Sequence, residues 1–153
     1  MTEIFFHFNA PDKVAYACRL LRKAVKSGAQ LIVSGEREEL SKLDAALWTF
    51  SALEFLPHCD LGGDAVVVAS SPILLTDAPL AKAVFPNLSE GAPAPILVNF
   101  GMQIPEGFER FERLIELVGN QENDREAGRQ RWKQYSRRGY SITRHDVAAT
   151  PET

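Results

Sequence analysis

The chain opens on a short apolar run, Ile4-Phe5-Phe6-His7-Phe8, closed by Asn9-Ala10-Pro11. Aromatic and β-branched residues at that length predict a strand, and the proline behind it predicts a helix start with Pro11 in the first turn. Val14, Ala17, Cys18, Leu21 and Val25 then recur at spacings of three and four, with Lys13, Arg22, Lys23 and Lys26 on other faces. This is the apolar stripe of an amphipathic helix packed on a sheet, and Gly28 is placed to end it. Gln30 to Ser34 has the pattern of a buried strand, and Leu40, Leu43 and Leu47 restore helical spacing over Glu36 to Leu47. Strand, helix, strand, helix in that order implies parallel strands joined by right-handed crossovers, the α/β layered class.

The signal weakens between Phe50 and Ala94, where Gly62-Gly63 and five prolines interrupt two apolar runs, Ala65 to Ala69 and Pro72 to Leu75. At least one further strand is expected there, with Cys59 in a loop. Pro95 to Asn99 is a clearer strand, after which Phe108, Phe111, Leu114, Ile115 and Val118 predict one face of a helix. A second, strongly basic helix follows from about Asp124 to Arg138, capped by Gly139, with Tyr135 packing inward alongside the preceding helix. His7 and His145 fall in strand and tail positions. The pattern predicts a single α/β domain over residues 1–146 and a flexible tail over 147–153.

Composition narrows the class. With 153 residues, 17.0 kDa and 45% hydrophobic content, the chain is long enough to bury a core without disulfide or metal staples. Cys18 and Cys59 are too far apart for a paired-thiol motif, so a reducing, cytoplasmic setting is expected. The first residues carry no basic patch leading into an apolar run, which argues against a secretory leader. No window approaches the roughly twenty apolar residues of a membrane span.

Charge singles out the basic helix. From Arg125 to Arg144 there are six Arg and one Lys against Glu126 alone, a net +6, while ten bases and nineteen acids leave the remainder at −9. Because the whole chain is acidic, with a pI near 5.6, any anion must be bound locally. Arg125, Arg129, Trp132, Lys133 and Ser136 follow helical spacing, which sets three cations around one large ring on a single face. Arg131, Gln134, Arg137 and Arg138 occupy other angles. Two readings fit: a solvated basic helix whose Trp132 fills a groove, or an anion pocket with an apolar floor. For the pocket, both a phosphate backbone and a peptide carboxylate attached to a hydrophobic residue remain open.

A second candidate is the aromatic segment around Trp48, Phe50 and Phe55, which either folds back as a small core or projects as an interface. Signals for catalysis are poor. His58 and Cys59 are sequence neighbours, an awkward geometry for a nucleophile and its base, and no metal site is expected. No Gly-x-Gly-x-x-Gly follows the first strand, and no Gly-Lys-Ser/Thr phosphate loop occurs.

Taken together, several elements resemble the chi subunit of the bacterial DNA polymerase III holoenzyme. These are the aromatic strand Ile4 to Phe8, Ala17-Cys18-Arg19-Leu20, the segment Leu43 to Phe50 with its Leu-Asp-x-x-Leu-Trp pattern, Phe55-Leu56-Pro57-His58, Pro95 to Asn99, and Arg131-Trp132-Lys133-Gln134-Tyr135 before Gly139-Tyr140. The resemblance implies a Rossmann-like three-layer sandwich, a mostly parallel sheet with helices on both faces and no nucleotide site or cofactor. It implies a non-catalytic accessory protein that links the clamp loader to single-stranded DNA-binding protein by gripping that protein's acidic C-terminal tail. On this resemblance, Trp132 and Val118 hold the tail's terminal ring, Arg129 and Lys133 its carboxylate, and Arg125 the upstream acids. It further implies that Trp48, Phe50 and Phe55 meet a psi subunit or another protein, and that DNA is engaged indirectly. The rival reading is an α/β module binding nucleic acid directly through the basic helix.

Overall fold

The computed structural model describes residues 1–49, 57–63, 71–80 and 94–148. Its strands are β1 (Glu3–Ala10), β2 (Leu31–Ser34), β3 (His58–Asp60), β4 (Ile73–Thr76), β5 (Ile96–Asn99), β6 (Arg113–Gly119) and β7 (Ile142–Asp146). They form one sheet in the order β3-β4-β2-β5-β6-β1-β7, with every neighbouring pair parallel. Helices α1 (Lys13–Lys26) and α2 (Arg37–Thr49) cover one face, and α3 (Glu122–Arg137) covers the other. The Rossmann-like three-layer arrangement is thus the one observed.

The two faces divide the core. Ala17, Cys18 and Leu21 of α1 and Leu40, Leu43 and Leu47 of α2 pack against Leu31, Val33, Ile73, Leu75, Val98 and Leu117. On the opposite face Ile4, Phe6, Ile32, Leu74, Leu97, Leu114 and Val118 meet Tyr135 of α3, with Phe108 and Phe111 from the connection ahead of β6. Alternation along each strand explains the split, since Ile32 faces away from Leu31 and Val33.

Several expectations are corrected. Residues 113–119 form strand β6, not the expected helix, and only Phe108–Arg110 make a short 3-10 turn. The strand lies inside the sheet between β5 and β1, so both faces are buried and Leu114 to Val118 is apolar at every position but Glu116, without the alternation of a half-exposed strand; Phe108 and Phe111 ahead of it complete an accidental helical spacing. Val118 and Tyr135 consequently meet sheet against helix, not helix against helix. Cys59 belongs to β3, not a loop, and His145 lies in edge strand β7, not a tail. Pro11 stands ahead of α1, whose N-cap is Asp12, its side chain accepting from the Ala15 N–H. At the tail, Val147 is buried and its N–H donates to the Phe8 carbonyl, while 149–153 lie outside the described residues.

Candidate functional site

The basic helix is anchored from beneath by a buried charge. Glu116 sits in the middle of β6 with no exposed surface, and Arg131 of α3 is 2% exposed. Arg131 Nε donates to Glu116 Oε1 at 3.0 Å and its Nη1 to the Met102 carbonyl at 2.8 Å. The Tyr135 hydroxyl donates to Glu116 Oε2 at 2.6 Å, and Asn99 Nδ2 to Oε1 at 2.9 Å. Burial raises the Glu116 carboxyl, opposed by Arg131, Tyr135 and Asn99. Burial and the Glu116 carboxylate together push the Tyr135 hydroxyl far above its ordinary range, so it stays a donor. Phe6 and Phe108 pack edge-on against the Tyr135 ring at 6.0 and 5.3 Å between centroids. Helical spacing sets Arg131 only at another angle from the Arg125, Arg129, Trp132 and Lys133 face; the lone Glu116 between Leu114 and Val118 is the signal that a buried partner is needed.

With Arg131 and Tyr135 committed inward, the neighbouring stripe of α3 is turned outward over the sheet. Val118, Arg125, Arg129, Trp132 and Lys133 converge on one groove of about 420 Å³, joined by Phe6, Phe8, Asn9, Gly128 and Arg144. Gly128 lets the helix lie close: a Cβ there would sit 2.9 Å from Val118 Cγ2 and 3.0 Å from Cγ1. Trp132 remains 41% exposed, a large ring standing beside an apolar floor. Asn9, in the left-handed region at φ 63°, marks the irregularity where β1 slips register against β6, and its side chain donates to Asp146 at 3.2 Å.

The cations in the groove differ in what already holds them. Arg129 Nη2 lies 2.7 Å from Glu126 and 3.2 Å from Glu122, while Arg125 is 4.0 Å from Glu122. The Arg129 guanidinium holds the Glu126 carboxyl below its ordinary range, with Gln130 adding a hydrogen bond. The pairs are exposed and exchangeable with a competing carboxylate.

At the carboxyl ends of the strands, where α/β sheets commonly seat ligands, lies a separate cleft of about 600 Å³ lined by Asp12, Glu36, Glu38, Glu39 and Asp124 among others. Here the anion positions are taken by the protein's own carboxylates. Asp12 caps α1, Glu36 accepts the Met102 N–H at 3.0 Å, and Asp124 accepts the Gly119 N–H at 2.6 Å while bonding Lys13 at 3.2 Å. Such a cleft opposes phosphate by both charge and occupancy.

Of the aromatic candidates, Trp48 is 57% exposed at the end of α2, its ring 4.9 Å from that of His58; Phe50 and Phe55 lie outside the described residues. His58 is buried and lies 3.1 Å from Asp44, while Cys59, its strand neighbour, points to the opposite face. Neither lines the groove or the cleft. Burial pushes the Cys18 thiol up to about 11, with Asp12 acting in the same direction. Among the described residues no cluster of three or more His, Cys, Asp or Glu is placed to hold a metal, and no helix is long and apolar enough to cross a membrane.

Fold and groove together define an all-parallel α/β domain with a cationic, apolar-floored groove between one helix and the sheet edge. The family described as "DNA polymerase III chi subunit, HolC" matches residues 1–143. A DNA polymerase III subunit chi from Pseudomonas aeruginosa is 28% identical over 150 residues, covering 95% of this chain and 96% of that protein. One from Haemophilus influenzae is 27% identical over 132 residues, covering 86% and 85% respectively. The chain belongs to the DNA polymerase III chi subunit family, and with it to the accessory proteins of DNA replication.

Proposed function

We propose that this chain is a replisome adaptor that links the clamp loader to single-stranded DNA-binding protein by seating that protein's acidic C-terminal tail in the α3 groove. The carrying observation is that Val118, from a strand, and Arg125, Arg129, Trp132 and Lys133, from a helix, line one groove. Its apolar floor favours a peptide ending in a hydrophobic residue over a bare phosphate backbone, which needs cations but no such floor. Trp132 and Val118 receive the terminal side chain, Arg129 and Lys133 the carboxylate, and Arg125 the upstream acids. The exposed Trp48 face is the second contact, for a psi subunit or another protein. Neither role calls for catalysis by the chain itself.

Calorimetric titration with an acidic peptide ending in an apolar residue tests the groove. Deleting that last residue, or substituting Trp132→Ala, is expected to weaken binding by roughly tenfold or more, the loss of one buried aromatic contact. Arg129→Ala is expected to weaken it less, because Arg129 is solvated and shared with Glu126. Unchanged affinity across the three would overturn the reading. Tight binding to oligonucleotides alone, with steep salt dependence, would favour direct nucleic-acid binding instead.

A further inference from the structure

We infer that Arg144, on edge strand β7, is a carboxylate-binding residue of the groove and closes it from the side opposite α3. This rests on the peptide-tail reading above and adds a contact to it. The family correspondence ends at residue 143, one short of this position.

Three observations carry the inference. First, β7 pairs in parallel with β1, and Arg144 is the register partner of Phe6. Neighbours in register project to the same side of a sheet, so Arg144 leaves on the face that α3 covers. Second, its guanidinium carbon lies 5.1 Å from the centre of the Phe8 ring, and both residues line the groove. A guanidinium placed over an aromatic ring can still make two parallel in-plane hydrogen bonds to a carboxylate. Third, the groove's cations are unequally engaged. Arg129 is held by Glu126 and Glu122 and Arg125 approaches Glu122, whereas no carboxylate among the described residues pairs with Arg144. An acidic peptide must displace Glu126 to reach Arg129, but meets Arg144 without displacing an acid.

The site is therefore two-jawed. The helix supplies Arg125, Arg129, Trp132 and Lys133, and the last strand supplies a guanidinium across the Phe6 and Phe8 floor. The test is calorimetry of the full chain with the acidic, apolar-ended peptide, comparing wild type, Arg144→Gln, Arg144→Lys and Trp132→Ala. Arg144 is exposed on an edge strand, so both of its variants are expected to keep the wild-type unfolding temperature. Arg144→Gln is expected to weaken binding roughly three- to tenfold. Arg144→Lys should recover only part of this, since it keeps the charge and loses the fork. If Arg144→Gln binds within about twofold of wild type while Trp132→Ala is impaired, the assignment of Arg144 is wrong and the groove stands. If wild type does not bind the peptide, the tail reading itself fails, and Arg144 with it.

Discussion

Substituting Gly128→Ala probes how closely α3 must sit on the sheet. In an ordinary helix interior, alanine is favoured over glycine by roughly 0.5–1 kcal/mol. Here the added methyl would stand 2.9 and 3.0 Å from the two γ-carbons of Val118, inside normal contact distance. Val118 is itself 5% exposed beneath the helix, so it cannot swing freely aside. Overpacking of this kind costs about 1–3 kcal/mol. The clash therefore outweighs the propensity gain, leaving Gly128→Ala destabilised by ~0.5–2 kcal/mol, with the groove floor displaced and peptide binding weakened. Val118→Ala removes both colliding methyls, so the double variant should be more stable than the summed single effects predict, with a coupling of about 1 kcal/mol. Urea denaturation supplies the stabilities and calorimetry the affinities. A Gly128→Ala protein that gains the full helix-propensity stability and binds the peptide as wild type does would refute this packing of α3 on Val118.

Two further outcomes follow from buried groups. Tyr135→Phe keeps the ring among Phe6, Phe108 and Tyr140 but removes the 2.6 Å hydrogen bond to Glu116, so urea denaturation should show a loss of about 1–3 kcal/mol; an unchanged midpoint would mean that Glu116 needs no such donor. Burial, reinforced by His145, lowers the His7 pKa from 6.5 to about 4, with the His7 ring bonded to the Tyr16 hydroxyl. The unfolded chain takes up a proton there before the folded one, so the contribution is present above pH ~6.5 and is lost as pH falls toward ~4. The shift corresponds to ~3 kcal/mol at most, and to ~1–2 kcal/mol after discounting for solvent at a partly exposed ring. A His7→Gln variant should lose less stability than wild type across that window, and parallel stability profiles would rule the linkage out.

Local patterns carried much of the architecture. The stripe Val14, Ala17, Cys18, Leu21, Val25 and the stripe Leu40, Leu43, Leu47 are periodic because each helix buries one face against the sheet, and the short runs at β1, β2 and β5 are bounded by turn residues. Gly139, at φ 82°, ends α3 as its position implied, and the Arg125, Arg129, Trp132, Lys133 face follows from helical spacing alone. β6 was misread because a strand buried on both sides loses its alternation. β7 went unseen for the opposite reason, since an edge strand with exposed Thr143 and Arg144 carries too few apolar positions to register.

By itself, then, the order of residues determined the layered α/β class, the helix that bears the cations, and the family likeness, because each depends on spacings within one element or on motifs read in series. Tertiary structure alone decided that Arg131 turns inward to Glu116 while Trp132 and Arg129 face out, and that Phe6, Phe8 and Arg144 complete the groove. Those outcomes depend on which strands pair. β1 lies between β6 and β7, so residues more than a hundred positions apart share one face of the sheet, and no local period encodes that neighbourhood.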